Sequence, residues 1–412
     1  MRFDSAGCFN PTIAAAGAAR MDFQSVDCGM VPASVNISRF QGRSGVDEYH
    51  LIVHPNECGS IETQLEWVFS AYRKGLDAIG LDMRTAVLRR FFCSDLPNQV
   101  TALEARPFSN RRNTDEPCAV SWVCQPPVPP VKVALWAYHV SDPGRELDKI
   151  QEGTSLTLRR GDLSHCWTTG ITCLGADTSY GQTRGVFERY ECLLKERGLR
   201  LADNVIRTWL FVQNIDSNYR GLMDARREFF AERGLTPGTH FIASTGVEGA
   251  YADAAVKVAM DAYAISGARH EQIEFLSALD YLSPTHIYGV TFERGVSIAY
   301  QDRKHVIISG TASVDHEGKI LYPGDVTRQL DRTLENVGAL LKQGGATFAD
   351  VCVFVVYVRD PSDHVVAWRE MRKRFGDAPI EVVVASVCRP GWLIEVECEA
   401  VVPASNPELP AF

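Results

Sequence analysis

The residues with the clearest chemical potential lie near the C-terminus, in the stretch VCRPGWLIEVE at 387–397. Arg389 precedes a Pro-Gly pair, which favours a tight turn. The strand-like run at 393–402 then places Glu395 and Glu397 on one face, because side chains alternate along a strand. An arginine can bind a carboxylate through two parallel hydrogen bonds, and a carboxyl group beside it can transfer a proton. The pattern predicts a carboxylate-binding site with acid–base chemistry. The alternative is an edge strand with a solvated acidic face and a structural Arg–Glu pair.

The composition is that of a soluble globular chain. The 412 residues are 45% hydrophobic and 23% charged, with a formal net charge of −9, and this length predicts two to three domains. The acidic balance argues against nucleic acid bound on a broad basic surface. No apolar run approaches the roughly 18 residues that span a bilayer, and the N-terminus lacks the apolar core of a signal peptide. We therefore predict a cytoplasmic protein.

The cysteines and histidines form neither a disulfide pattern nor a metal-binding pattern. The 12 cysteines are scattered without a CxxC pair, and several lie in apolar, strand-like runs. Reduced, buried thiols explain this distribution. The ten histidines include no HExxH motif and no close pair with a third ligand. The sequence therefore predicts no metal site and no cofactor.

An internal repeat organises the chain. Stretches beginning at Ser60, Asp177 and Asp325 each contain an amphipathic helix, a glycine, a short polar link and an apolar strand. In every copy a glutamine stands 16 residues before that glycine, as Gln64 and Gly80, Gln182 and Gly198, and Gln329 and Gly345. The glycine suits a left-handed helix cap. The repeat predicts an α+β chain of three modules. Their bounds are 36–142, 161–266 and 284–403, with linkers near 141–161 and 266–285.

The copies differ after the central strand. Copies two and three continue with a second helix that has an apolar face. Copy one has the polar segment 109–117 near the corresponding place, so its second helix is predicted to be short or lost.

The third copy resembles the Rid family, also called YjgF, over about 287–402. The resemblance is carried by ISGTAS, QLDRTLENVGALLKQGG, VVYVRD and CRPGWLIEVE. It implies that Arg389 binds a substrate carboxylate, that Glu395 is the catalytic acid, and that Ser309 belongs to the family's SG turn. It also puts Phe292 at an aromatic position that is often tyrosine. Rid domains form trimers with ligand sites in the clefts between subunits.

Three such modules in one chain imply a single-chain pseudo-trimer with sheets inside and helices outside. The segment HFIASTGVEG at 240–249 is similar to one in the chorismatases, a multi-module branch that hydrolyses the enolpyruvyl ether of chorismate. Other multi-module relatives are often labelled translation initiation inhibitors. The expected assembly is a monomer, with a dimer as the alternative.

A complete set of chemical groups occurs once. Copy one has CQP and VALW where copy three has CRP and IEVE, and copy two has VAMD. The third cleft therefore needs residues from a neighbouring module. Backbone N–H groups near Thr245 and Gly246, and a second cation from Arg226 or its neighbour Arg227, are the candidates for binding substrate.

Three functions remain open on these residues. Enol ethers and enamines share one route to hydrolysis, in which a carbon is protonated and water traps the resulting cation. The first function is a chorismatase-like hydrolase, the second an enamine or imine deaminase, and the third a small-ligand binder without catalysis. A second fixed cation facing Arg389 would favour the first. The expected partner is a small carboxylate-bearing molecule rather than nucleic acid or a membrane.

Overall fold

The computed structural model describes residues 20–113 and 115–412, which form three six-stranded sheets. The first contains β1 (Arg20–Val26), β2 (Ala33–Gln41), β3 (Asp47–Pro55), β4 (Ala86–Cys93), β5 (Ala119–Cys124) and β6 (Val133–Ser141). The second contains β7 (Asp148–Glu152), β8 (Ser155–Arg160), β9 (Leu163–Thr172), β10 (Val205–Val212), β11 (Ala243–Glu248) and β12 (Val258–Ser266). The third contains β13 (Ile273–Leu276), β14 (Gly295–Ala299), β15 (Arg303–Ala312), β16 (Val351–Val358), β17 (Ile380–Val384) and β18 (Ile394–Pro403).

The three sheets have one topology. Each follows the strand order first, second, third, sixth, fourth, fifth. The fourth and fifth strands are parallel in every sheet, whereas the other neighbours are antiparallel. This confirms the prediction of an α+β chain built from three similar modules.

The helices follow the same plan in each module. They are α1 (Ile61–Ala78), α2 (Leu96–Glu104), α3 (Ser179–Glu196), α4 (Leu201–Asn204), α5 (Ile215–Glu232), α6 (Val326–Gln343) and α7 (His364–Phe375). Short 3₁₀ turns lie at Met83–Thr85, His270–Gln272, Thr285–Tyr288, Phe348–Asp350 and Pro361–Asp363. As predicted, the second helix of the first module is short: α2 has 9 residues, whereas α5 has 18 and α7 has 12.

The repeated glutamine joins the first helix of each module to the start of its last strand. Gln329 donates to the carbonyl of Gly391 at 2.9 Å and accepts from the N–H of Leu393 at 2.9 Å. Gln64 and Gln182 make the equivalent pairs of bonds in their own modules. A buried amide requires such partners, so the conserved spacing within the chain has a structural cause.

The hydrophobic cores place the sheets inside and the helices outside. One central core combines residues from all three sheets, among them Trp136, Trp209 and Val355. The other face of each sheet packs on its own helices in a separate core. Burial of these apolar faces from water provides the main stabilisation of the fold.

The modules contact one another in a closed ring. Isolated backbone bridges join Cys124 to Ala250 between the first and second modules, and Val247 to Val387 between the second and third. A third bridge, between Pro127 and Val383 of β17, connects the first and third modules. Each module therefore packs against both others.

The predicted linkers were wrong, because they contain strands. Strands β7 and β8 occupy most of 141–161, and β13 lies within 266–285. The short, polar edge strands lacked the apolar pattern by which strands were recognised. The sheets also begin before the bounds 36–142, 161–266 and 284–403, which stay a prediction as a division into domains.

Two further features concern membranes and thiols. Across the described residues, no helix is both long and apolar enough to cross a bilayer. The 11 cysteines in that part of the chain are all free thiols.

Because the ring closes within one chain, we expect the whole protein to be a monomer at micromolar concentration. Sedimentation velocity should give one species at the mass of a single chain. An obligate trimer of whole chains would contradict this expectation, whereas a dimer through an outer surface would not.

Candidate functional site

A cleft lies between the second and third modules, where β11 runs close to β15. About 560 Å³ of empty space, part of it open to solvent, is enclosed by side chains from both modules. Its polar lining includes Arg226, Arg294, Arg389 and Glu395. Its apolar lining includes Tyr219, Val290, Phe292, Ala312, Val314 and Trp392.

The structure brings five of the seven predicted site residues to this cleft. Glu395, Arg389, Phe292, Gly246 and Arg226 line it. The other two residues, Ser309 and Thr245, lie directly behind its wall and are described below.

Arg389 is held by the turn that follows it. The N–H of Trp392 donates to the carbonyl of Arg389 at 3.0 Å, and the Trp392 indole N–H donates to the carbonyl of Ser313 at 3.0 Å. The guanidinium lies 4.9 Å from the centre of the Trp392 ring, within cation–π range. Gln329 also holds this turn, through its bonds to the carbonyl of Gly391 and the N–H of Leu393. Hydrogen bonds thus hold the turn from which Arg389 projects.

Glu395 stands on β18, where it pairs with Ala312 of β15 and Tyr357 of β16. It is 5% exposed. Burial, together with the negative charge of Glu397, raises the pKa of Glu395 to about 8 against the opposing charges of Arg294 and Arg207. The carboxyl group is therefore largely protonated at neutral pH.

An irregularity in the pairing of β15 with β18 makes room for the Glu395 carboxyl group. The pairing between β15 and β18 shifts register between Ile308 and Thr311, as in a β-bulge, which commonly re-aims side chains beside functional sites. The bulge contains Gly310, and a Cβ at this position would lie 1.9 Å from Oε1 of Glu395. Any larger residue at this position would displace the Glu395 carboxyl group or the Thr245 methyl group.

Glu397 has a different environment from Glu395, although both lie on one strand face. Its Oε2 accepts from Arg207 Nη2 at 2.7 Å, and its Oε1 accepts from the Trp209 indole at 3.0 Å. Thr245 also donates to its Oε2. Because these bonds occupy the carboxylate, Glu397 supports the site, and Glu395 is the carboxyl group presented to the cleft.

Ser309 and Thr245 belong to the same buried network. Ser309 Oγ accepts from Arg207 Nη1 at 2.9 Å and from the N–H of Ser244 at 3.0 Å, and it donates to the carbonyl of Glu293 at 2.7 Å. Thr245 Oγ1 accepts from the N–H of Gly310 at 2.8 Å. Their hydroxyl groups connect the two modules behind the cleft.

Two arginines provide further positive charge in the cleft. Arg226 on α5 is 3% exposed, and its Nε donates to Thr291 Oγ1 at 3.2 Å. Arg294 donates to the carbonyl of Ser283 at 3.2 Å. Their guanidinium carbons lie 6.0 and 5.3 Å from the centre of the Phe292 ring. The alternative cation, Arg227, points outward and pairs with Asp224.

The sequence interpretation missed Arg207 and Arg294. Arg207 is a lone charge inside the apolar strand VIRTWLFV, and a charge in such a run must find a partner. That anomaly was the available signal. Arg294 adjoins Phe292 but belongs to no periodic pattern, so nothing in the sequence distinguished it.

The equivalent cleft between the first and second modules is filled. Gly170 matches Gly310 in the sheet register, and Ala259 takes the place of Glu395. A Cβ at Gly170 would lie 2.8 Å from the Tyr251 hydroxyl and 3.1 Å from Arg111 Nη1. The space that Glu395 occupies in the third module is thus taken by a tyrosine and an arginine.

The equivalent groups are also missing where the third and first modules meet. Ala134 and Trp136 take the places of Glu395 and Glu397 in the strand register. Strand β3 pairs with β6 without a register shift, so the first module lacks the bulge. Among the described residues, the combination of bulge, acid and arginine turn is found in one cleft.

The described ranges contain no group of three or more His, Cys, Asp or Glu side chains arranged to hold a metal ion.

Comparison with known proteins gives sequence matches to the third module and a structural match to most of the chain. Residues 294–402 match the endoribonuclease L-PSP family model. A RutC family protein of Pyrococcus abyssi is 28% identical over 96 residues, which are 23% of this chain and 76% of that protein. One from Pyrococcus horikoshii is 27% identical over 96 residues, with the same shares. A chorismatase crystal structure superposes with a TM-score of 0.59 at 17% identity, covering 77% of this chain and 93% of that one.

We expect Gly310→Ala to damage both the fold and the site. The added methyl group would overlap Glu395, and such overpacking costs about 1–3 kcal/mol in the free energy of unfolding. Urea denaturation should detect this loss. Gly238→Ala is the control, because the nearest atom to its Cβ would be Thr236 Oγ1 at 3.8 Å. Equal stability of the two variants would contradict the contact argument.

Proposed function

We propose that this chain, whose third module matches the endoribonuclease L-PSP family model and whose fold is similar to that of a chorismatase, hydrolyses a small unsaturated molecule with two carboxylates, such as an enolpyruvyl ether. The observation that carries this proposal is the composition of the cleft. A buried Glu395 with a raised pKa faces a site that three arginines also line.

The charge balance of the cleft supports a dianionic substrate. Arg226, Arg294 and Arg389 supply three positive charges, while Glu395 is largely protonated at neutral pH. Arg226 forms no ion pair with any carboxylate in the described part of the chain, although it is almost fully buried. Burial of an unpaired cation costs free energy, which a bound carboxylate would offset.

The proposed reaction needs one carboxylic acid. Glu395 donates its proton to the terminal carbon of the enol ether, and the double-bond electrons form the new C–H bond. Water then adds to the resulting oxocarbenium carbon and returns a proton to the Glu395 carboxylate. The hemiketal hydroxyl then loses its proton as the carbonyl forms, the bond from this carbon to the ether oxygen breaks, and the departing oxygen takes up a proton, which releases a 2-oxo acid and an alcohol. The arginines orient the substrate through its carboxylates.

An enamine or imine deaminase is the second candidate. Protonation by Glu395 and trapping by water would serve that reaction equally well, and Arg389 alone would bind its single carboxylate. The two further arginines favour the dicarboxylate hydrolase. The third candidate, a binder without catalysis, predicts saturable binding of the same anions with no turnover. Incubation with chorismate and with enamine-generating reactions, following pyruvate and ammonia, separates all three.

We further propose that the protein works in the cytoplasm. The free thiols of the described chain, many of them buried, suit a reducing compartment.

We expect Glu395→Gln to lower kcat by about 10²-fold or more, because the amide keeps the shape but cannot transfer the proton. Glu335→Gln, at an exposed position on α6 outside the cleft, is the control and should keep wild-type turnover. Wild-type turnover by the Glu395 variant would exclude Glu395 as the acid.

The pH dependence should report the same group. The protonated form of Glu395 is the active one, and its pKa is raised to about 8. kcat/KM should therefore stay high at neutral pH and fall as the pH rises through about 8. An activity that increases through this range would show that the deprotonated carboxylate is required instead.

Arg226 should contribute more to the binding of a substrate with two carboxylates than to the binding of a substrate with one. We expect Arg226→Met to weaken transition-state binding of a dicarboxylate substrate by about 10–100-fold, the value of a charge-assisted bond. A monocarboxylate analogue should be affected much less. Arg227→Met, on the exposed side of the same helix, is the control. Equal losses for both substrates would favour a structural role for Arg226.

Arg389→Lys should weaken the binding of both substrates, because lysine keeps the positive charge but cannot form two parallel hydrogen bonds to a carboxylate.

A further inference from the structure

A second cavity lies at the centre of the ring, apart from the proposed catalytic cleft. Its empty space is about 520 Å³, part of it open to solvent, and all three modules contribute to its wall. Five aromatic side chains form much of this wall: Trp136, Tyr138, Trp167, Trp209 and Tyr263. The rings of Trp167 and Tyr263 are stacked, with centroids 4.9 Å apart.

The carboxyl group of Glu399 distinguishes this cavity from an apolar packing gap. Glu399 keeps accessible surface although Ala400 and Val401 beside it are buried, because its surface faces the cavity. Within the described residues it accepts no hydrogen bond and forms no ion pair. Burial raises the pKa of Glu399 to about 7, and Arg207 opposes the shift. The ionised form thus lacks a direct partner.

The other charged groups around the cavity are already paired. Glu48 accepts from Arg303 at 2.7 Å and from His305 at 2.9 Å, and the Tyr138 hydroxyl also donates to it. Arg303 also pairs with Asp302. Two more ion pairs lie close by, namely Arg90 with Asp261 and Arg207 with Glu397. His50 accepts from the Trp136 indole, and burial lowers its pKa to about 3, so it adds no positive charge. Among the described carboxylates around this cavity, Glu399 is the one without a direct ion pair, although the charges of Arg207 and Arg90 act on it from a distance.

We propose that this central cavity binds a small monovalent cation of the ammonium type, held by the Glu399 carboxylate and the surrounding aromatic faces. An ammonium group can donate to the carboxylate and lie against the rings, whose faces attract cations. Arginines already use some of these faces: Arg90 lies 5.3 Å from the ring centre of Trp136 and 4.5 Å from that of Trp209. His50 stacks on Tyr138, and Trp167 and Tyr263 stack on each other. The ligand would therefore contact the remaining faces and edges of these three rings.

Methylammonium is the probe, titrated into the full chain at constant ionic strength against sodium chloride. Three tryptophans line the cavity, so tryptophan fluorescence should respond and saturate, and isothermal titration should give one site per chain. Methanol has a similar size without the charge and should give no saturable response. Binding should weaken as the pH falls from 8 to 6, because protonation of Glu399 removes the negative charge.

Glu399→Gln should weaken methylammonium binding by at least tenfold. Glu335→Gln, at an exposed helix position, should leave it unchanged. No saturable binding, equal binding of methanol, or unchanged affinity in Glu399→Gln would each overturn the proposal. Glu395→Gln separates this site from the catalytic proposal: it should lower turnover by about 10²-fold or more while leaving methylammonium binding intact.

Discussion

The ion pair between Arg207 and Glu397 is the interaction on which the cleft depends. It links the central strand of the second module to the last strand of the third, and both side chains are almost completely buried. Removal of one partner from a buried pair typically costs about 3–5 kcal/mol, because the other charge stays buried without compensation. In the native state further hydrogen bonds stabilise the two charges: Trp209 and Thr245 donate to Glu397. Arg207 also donates to Ser309. The relative position of the two modules, and hence the geometry of the cleft, is constrained by this network.

Fusion of three modules into one chain allows structure and chemistry to diverge. The glutamine between the first helix and the last strand makes the same bonds in all three modules, because its amide is buried in each and requires partners. The bulge, the acid and the arginine turn coincide in the third module, where they have a partner surface in the second. In the first two modules the positions that correspond to Glu395 carry Ala134 and Ala259, which have no acidic group.

Local patterns in the sequence were sufficient for the repeated core of the fold and for the turn at Arg389 and the strand face that Glu395 and Glu397 share. The helix periodicity, the glycine cap and the alternating strand are encoded within short stretches, so they could be predicted. The contact between Arg207 and Glu397 joins residues 190 positions apart, and no local pattern encodes it. The edge strands β7 and β13 were also missed, since they are stabilised by pairing with a neighbouring strand rather than by an apolar face of their own.

Strand β18 shows why residue type alone does not define a role. Glu395, Glu397 and Glu399 follow one another on a single face, yet each meets a different environment. Glu395 meets the glycine bulge and the cleft, so burial keeps it protonated and suited to donate a proton. Glu397 meets Arg207 and stays in a buried ion pair, and its charge in turn raises the pKa of Glu395. Glu399 meets the aromatic cavity at the centre of the ring. The neighbouring modules, rather than the strand itself, therefore determine what each carboxyl group can do.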